Sequence, residues 1–142
     1  MSDWKKTVWP EAPSARASVG LLLLRVYAGA ALMAHGWGKI QNPFHWMDGK
    51  PGAAPGVFQA LAAVSEFGGG LGLIVGLLTP LAALGIASTM VVAVFKHASK
   101  GDPFVGRGGS FEPALGYLVT AALLMLAGPG RYSLDERVFG RR

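Results

Sequence analysis

Residues 57–78 read VFQALAAVSEFGGGLGLIVGLL. As a helix this stretch is long enough to cross a hydrocarbon core of about 30 Å. It carries one acid, Glu66, near its middle. Gly68, Gly69 and Gly70 follow the acid, and Gly72 and Gly76 come after them. In a soluble helix each glycine would cost about 1 kcal/mol relative to alanine. In lipid, small residues instead let neighbouring helices approach closely. Gly68, Gly72 and Gly76 form a G-x-x-x-G-x-x-x-G ridge, about 120° around the helix from Glu66. The helix is therefore expected to pack on two sides, one of glycine and one carrying Gln59, Glu66 and Leu73. A carboxylate at that depth requires a partner.

The rest of the composition agrees with a membrane setting. Of 142 residues, 51% are hydrophobic and 15% charged, whereas about a quarter of residues are charged in soluble domains. The apolar residues fall into four blocks, which predicts an all-α, integral membrane four-helix bundle with glycine-rich packing. The chain has no cysteine, which excludes thiol relays, thiolate metal sites and Cys-ligated clusters within it. The net charge is +5, but the basic residues cluster outside the apolar blocks. That pattern points to topology and lipid headgroups, not to nucleic acid.

Along the chain, residues 1–16 form a polar tail, with Trp4 and Trp9 suited to headgroup level. A transmembrane domain over 17–128 holds helices at 17–40, 57–78, 80–99 and 110–127. The Gly128-Pro129-Gly130 stop opens an interfacial tail over 129–142, where Ser133 and Glu136 have capping-box spacing. Pro and Gly in the loop 41–56 exclude a regular element, and Phe44 and Trp46 are expected to form a lid there. His45 reads as a solvated loop histidine. Neither GGGLG nor the loop KGDPFVGRGGS has the G-x-G-x-x-G spacing, so nucleotide binding is discarded. Lys5, Lys6, Arg16, Arg131, Arg137, Arg141 and Arg142 lie on one side, and Lys39, Lys50, Lys96, Lys100 and Arg107 on or near the other. This asymmetry predicts that both termini are cytoplasmic.

Two polar layers are expected inside the bundle. Helical rise places Arg25 about 12 Å in from the terminal end and Glu66 about 15 Å in from the opposite end. The two heights match, so Arg25 and Glu66 are expected to form a buried ion pair. Nearer the other face, His35 and His97 each lie about 26 Å along their helices. Lys39 and Lys96 are close by, and Glu112 opens the fourth helix. His35, Lys39, His97 and Glu112 are the candidate ligand-binding residues, able to exchange protons with a polar headgroup such as a quinone's. The plainer alternative is that both layers are structural, one fixing helix register and the other made of interface residues that snorkel. No H-x-x-x-H or E-x-x-H pair occurs on one helix, so no metal site is expected.

Four blocks carry a resemblance: RVYAGAALMAHGWGKI at 25–40, SEFGGGLGLIVGLLTPLAAL at 65–84, FEPALGYL at 111–118 and GPGRYSLD at 128–135. In this order and spacing they resemble the DoxX family of small four-helix membrane proteins, over about residues 18–138. The resemblance implies a four-helix transmembrane bundle in a bacterial-type inner membrane. It also implies a loose tie to oxidoreduction, through similarity to the membrane subunit of thiosulfate:quinone oxidoreductase. No flavin motif or haem-ligand pattern accompanies it and no covalent cofactor is expected, so electron transfer would require a bound quinone or a partner subunit; a partner subunit or a homo-oligomer is expected. The expected function is a quinone- or electron-transfer-associated subunit of a membrane oxidoreductase. A non-enzymatic scaffold or small-solute carrier of the same fold is the alternative.

Overall fold

The computed structural model describes residues 13–140. The tail 1–12, with Trp4 and Trp9, and the terminal Arg141 and Arg142 lie outside the described residues. The elements are α1 (Ala15–Ile40), α2 (Gly56–Val75), α3 (Thr79–Ser99), α4 (Glu112–Ala127) and a short α5 (Leu134–Phe139). Among the described residues there is no strand. α1, α2 and α3 are long and apolar enough to cross a membrane, and α4 is a shorter apolar helix. Their outer faces carry Leu23, Tyr27, Leu81, Phe95 and Leu126, each more than half exposed. An apolar exterior of this kind suits lipid, where backbone groups are satisfied within each helix.

α2 is the central helix. It packs against α1 on one side and α3 on the other, α3 packs against α4, and the α1–α4 contact is the sparsest of these. Leu32, Leu73, Ile86, Ala121 and Leu124 fill the core. Glycines set the close approaches, although the ridge is divided in its use. The tight α1–α2 crossing is at Gly29 and Gly70, where a Cβ on Gly70 would lie 2.7 Å from the Gly29 carbonyl. Gly36 sits equally close to Phe67, and Gly69 and Gly72 face Ile86 and Ala82 of α3. Gly68 is exposed, with only Val64 of its own helix in reach. Thus the members of the expected ridge do not share one packing face, because α2 is held between two neighbours.

α2 also ends earlier than residue 78. Gly76 adopts φ 67°, and the Leu77 N–H donates to the Gly72 carbonyl while the Gly76 N–H donates to that of Leu73. This is a Schellman ending, which requires a left-handed residue and so favours glycine. Leu78 is left-handed too, at φ 50°, a conformation that costs a non-glycine residue about 1–2 kcal/mol. Asp135 holds this turn. Its two carboxylate oxygens each accept at 2.7 Å, one from the Leu78 N–H and one from the Thr79 N–H, and its own N–H donates to the Gly76 carbonyl. A carboxylate on free N–H groups at a helix start is favourable both as a cap and toward the dipole.

The tail therefore returns to the bundle as a structural clamp. The Arg131 N–H donates to Ser18 Oγ, and Gly130 packs on Ser18 and Leu21. Ser133 caps α5 by accepting from the Glu136 N–H. Ser18, Ser133 and Asp135 are all buried. α4 begins at Glu112 with Pro113 in its first turn, two residues later than the sequence suggests.

Candidate functional site

Antiparallel packing fixes which α1 residues face Glu66. Gly36 lies against Phe67 and the Cβ of Glu66, while Gly29 lies against Gly70 and Ile74. Following that register, the partner of Glu66 comes from the end of α1. The Lys39 ammonium sits 2.6 Å from both carboxylate oxygens. The Glu66 side chain is 5% exposed and that of Lys39 25%. Arg25 does not pair with Glu66. The depth estimate treats the helix ends as flush, but α1 overruns α2, and Arg25 sits beside Gly76 at the end of α2. There its guanidinium donates to the Tyr132 carbonyl of the tail. Arg25 is fully buried, and it belongs to the clamp, with Asp135 the carboxylate in electrostatic reach.

The Lys39–Glu66 pair borders a cavity of about 270 Å³ at the loop end of the bundle. His35 and Leu32 of α1, Met90, Ala93 and His97 of α3, Ser110, and Pro113, Ala114 and Tyr117 of α4 complete its walls. α1, α2, α3 and α4 all contribute to the lining, and of the packed helix pairs α1–α4 is the sparsest. Three of the four candidate ligand residues, His35, Lys39 and His97, are brought together here. Glu112 is not: as the first residue of α4 it is exposed and is not among the residues that line the cavity. The carboxylate beside His97 is instead Asp102, whose Oδ2 lies 2.6 Å from Nδ1. His35 meets Tyr117 edge-on, with ring centroids 5.9 Å apart.

The loop over the site is ordered by Gln59. Its side-chain oxygen accepts from the Met47 N–H, its amide donates to the Ala54 carbonyl, and its backbone carbonyl accepts from the Trp46 indole. Trp46 is thereby placed with its ring 4.7 Å from the Lys39 ammonium, a cation–π distance. Phe44 lies against Gly56 at the start of α2 and is half exposed. Lys96 ties the same loop to α3 through the Gly52 carbonyl. His45 pairs with Asp48 across an exposed turn, away from the cavity. Among the described residues no three His, Asp or Glu side chains converge as metal ligands.

Tyr117, Ser110, Asp102 and the structural role of Gln59 were not singled out from sequence. Tyr117 is visible in FEPALGYL as a polar-tipped aromatic on α4, but its height opposite His35 depends on where α4 starts.

The DoxX family model matches residues 20–98. The chain is 32% identical over 124 residues to the inner membrane protein YqjF of Escherichia coli K12, covering 83% of this chain and 91% of that protein. No solved structure matches the chain. Three membrane-length helices, a fourth apolar helix, the family match and this relative lead to one conclusion: the chain belongs to the DoxX family, as a multi-pass protein of the inner membrane.

Proposed function

We propose that the loop-end cavity binds the headgroup of a quinone-class molecule, and that the chain serves a membrane oxidoreductase as its quinone-associated subunit. One observation carries this reading. A single cavity at the end of an apolar bundle gathers two imidazoles, a phenol and a Lys–Glu pair over a floor of Leu32, Met90, Ala93 and Ala114. Ligand sites combine apolar walls with a few convergent polar groups in this way, in volumes of about 300–1,000 Å³. The present cavity is slightly smaller, which suits one ring while an isoprenoid tail stays in lipid. The sparse α1–α4 contact provides a lateral side for that tail. Electrons would pass to a partner subunit.

Binding tests this. Native mass spectrometry of gently extracted protein is expected to show a co-purifying quinone. His35→Gln and His97→Gln keep polarity but remove imidazole chemistry, and each is expected to weaken binding of the quinone-class molecule, in whichever redox form the site prefers, about tenfold, the loss of roughly one good hydrogen bond. Stability should change by less than about 0.5 kcal/mol for His35→Gln, and by about 1 kcal/mol for His97→Gln, which loses its contact with Asp102. If both variants bind as the parent does, the cavity is structural. The scaffold or small-solute carrier reading, favoured by the doubly bonded Lys39–Glu66 pair, then replaces this one.

The same reading places both termini in the cytoplasm and the cavity on the opposite side, on the excess of basic residues at the terminal end. Cysteines introduced at Ser2 and Ser110 are expected to label from opposite faces of the membrane. Labelling of both from one face would overturn the topology.

A further inference from the structure

His97 lines the cavity near the end of α3. Its Nδ1 and the Asp102 carboxylate are 2.6 Å apart, and the Asp102 N–H donates to the His97 carbonyl at 3.1 Å. The turn thus closes twice, once through the backbone and once through the side chains. Gly109 packs on the carboxylate, where a Cβ would lie 3.1 Å from Oδ2. An ionised carboxylate can only accept, so Nδ1 must be the donor. In a neutral imidazole the other nitrogen is then a bare acceptor. With the imidazole neutral, Asp102 therefore leaves Nε2 as the accepting nitrogen of His97, a residue that lines the cavity.

The remaining groups reinforce this. Lys39, the one permanent donor in the lining, is directed at both oxygens of Glu66 and lies close to the face of Trp46. The Glu66 oxygens keep accepting capacity beyond that pair. Tyr117 and Ser110 carry hydroxyls that rotate to suit either kind of partner. His35 makes an edge contact with Tyr117 and no described hydrogen bond. Of the groups held by a described partner, Lys39 is thus directed at Glu66, while Glu66 and the second nitrogen of His97 offer acceptors; His35 retains one N–H and one acceptor. The carbonyl oxygens of a quinone are acceptors as well, whereas the hydroxyls of a hydroquinone donate.

Resting on the quinone-class reading, we infer that the cavity selects the reduced, hydroquinone form. One phenolic hydroxyl donates to His97 Nε2, and Asp102 is the positioning residue that sets the preference. A quinone carbonyl in the same place would set lone pair against lone pair and leave Nε2 unmatched.

The full chain in lipid nanodiscs, kept anaerobic at pH 8, is titrated with a short-chain benzoquinone and, separately, with its hydroquinone. Calorimetry is expected to show the hydroquinone binding about tenfold more tightly, the equivalent of one hydrogen bond gained. Asp102→Leu removes the acceptor at Nδ1 and should narrow the difference to about twofold or less, without abolishing binding. Nitrogen-15 spectra of His97 provide a second readout that needs no ligand: the proton should reside on Nδ1 in the parent and be shared between the nitrogens in Asp102→Leu. Equal affinity for the two forms in the parent, or a proton on Nε2, overturns this inference and leaves the quinone-class reading standing. If neither form binds, the quinone-class reading falls and this inference falls with it.

Discussion

Gly76→Ala is expected to destabilise the protein by about 2–5 kcal/mol. Two costs combine. The residue holds φ 67°, and a left-handed conformation costs an L-residue about 1–2 kcal/mol. The new Cβ would also fall on the guanidinium of Arg25 and crowd Ser133, and overpacking typically costs about 1–3 kcal/mol. Arg25 cannot yield freely, because it is fully buried and bonded to the Tyr132 carbonyl. Displacing it would release the tail from α1, and with it the Asp135 cap on α3. Gly68→Ala is the control. It lies on the same ridge, but its Cβ would meet only Val64, at 3.7 Å. Stability there should be unchanged within about 0.5 kcal/mol. Thermal unfolding of both variants in the same detergent gives the comparison, and equal effects would show that the clamp contributes little.

The second large effect is expected at Lys39 and Glu66. Lys39→Met leaves an unpaired carboxylate on a side chain only 5% exposed. Removing one partner of a buried pair costs about 3–5 kcal/mol, and the low end applies because the pair borders a cavity. Glu66→Gln should cost less, about 1 kcal/mol, the range of a pair open to water. The Lys39 side chain is 25% exposed and its ammonium retains the Trp46 face. The double variant should cost less than the sum of the two singles, since its second change removes the charge left unpaired by the first. Arg25→Leu combined with Glu66→Gln should instead be additive, because those groups do not share a contact. Additivity for Lys39 with Glu66, or coupling of Arg25 with Glu66, would contradict the geometry.

This difference between partners shows where sequence reading stops. The depth of Glu66 in its helix follows from counting residues, and so does the need for a cation. Which cation answers it depends on how far α1 slides past α2. That slide is set by Gly29 on Gly70 and Gly36 on Phe67, contacts between helices that neither helix specifies alone. The same limit applies to the histidine layer. Equal heights for His35 and His97 were legible from helical rise, and both line the cavity. Glu112 was expected in this layer but does not line the cavity; the turn after α3 brings Asp102 to the His97 ring instead. The GPGRYSLD block shows the limit most clearly. Its capping residues were readable, but its docking onto α1 and the α2–α3 turn was not.

The amino-acid sequence by itself determined that the chain is an all-helical membrane protein. It did so through run lengths of apolar residues and the punctuation by Gly and Pro, both of which act locally along one chain. Tertiary structure alone decided the pairing of Lys39 with Glu66, the burial of Arg25 against the tail, and the cavity where His35, His97 and Tyr117 meet. These depend on the offset and rotation between helices. In a bundle of glycine-faced helices, the offset between neighbours decides which polar residues meet, with little signature in the pattern of either helix.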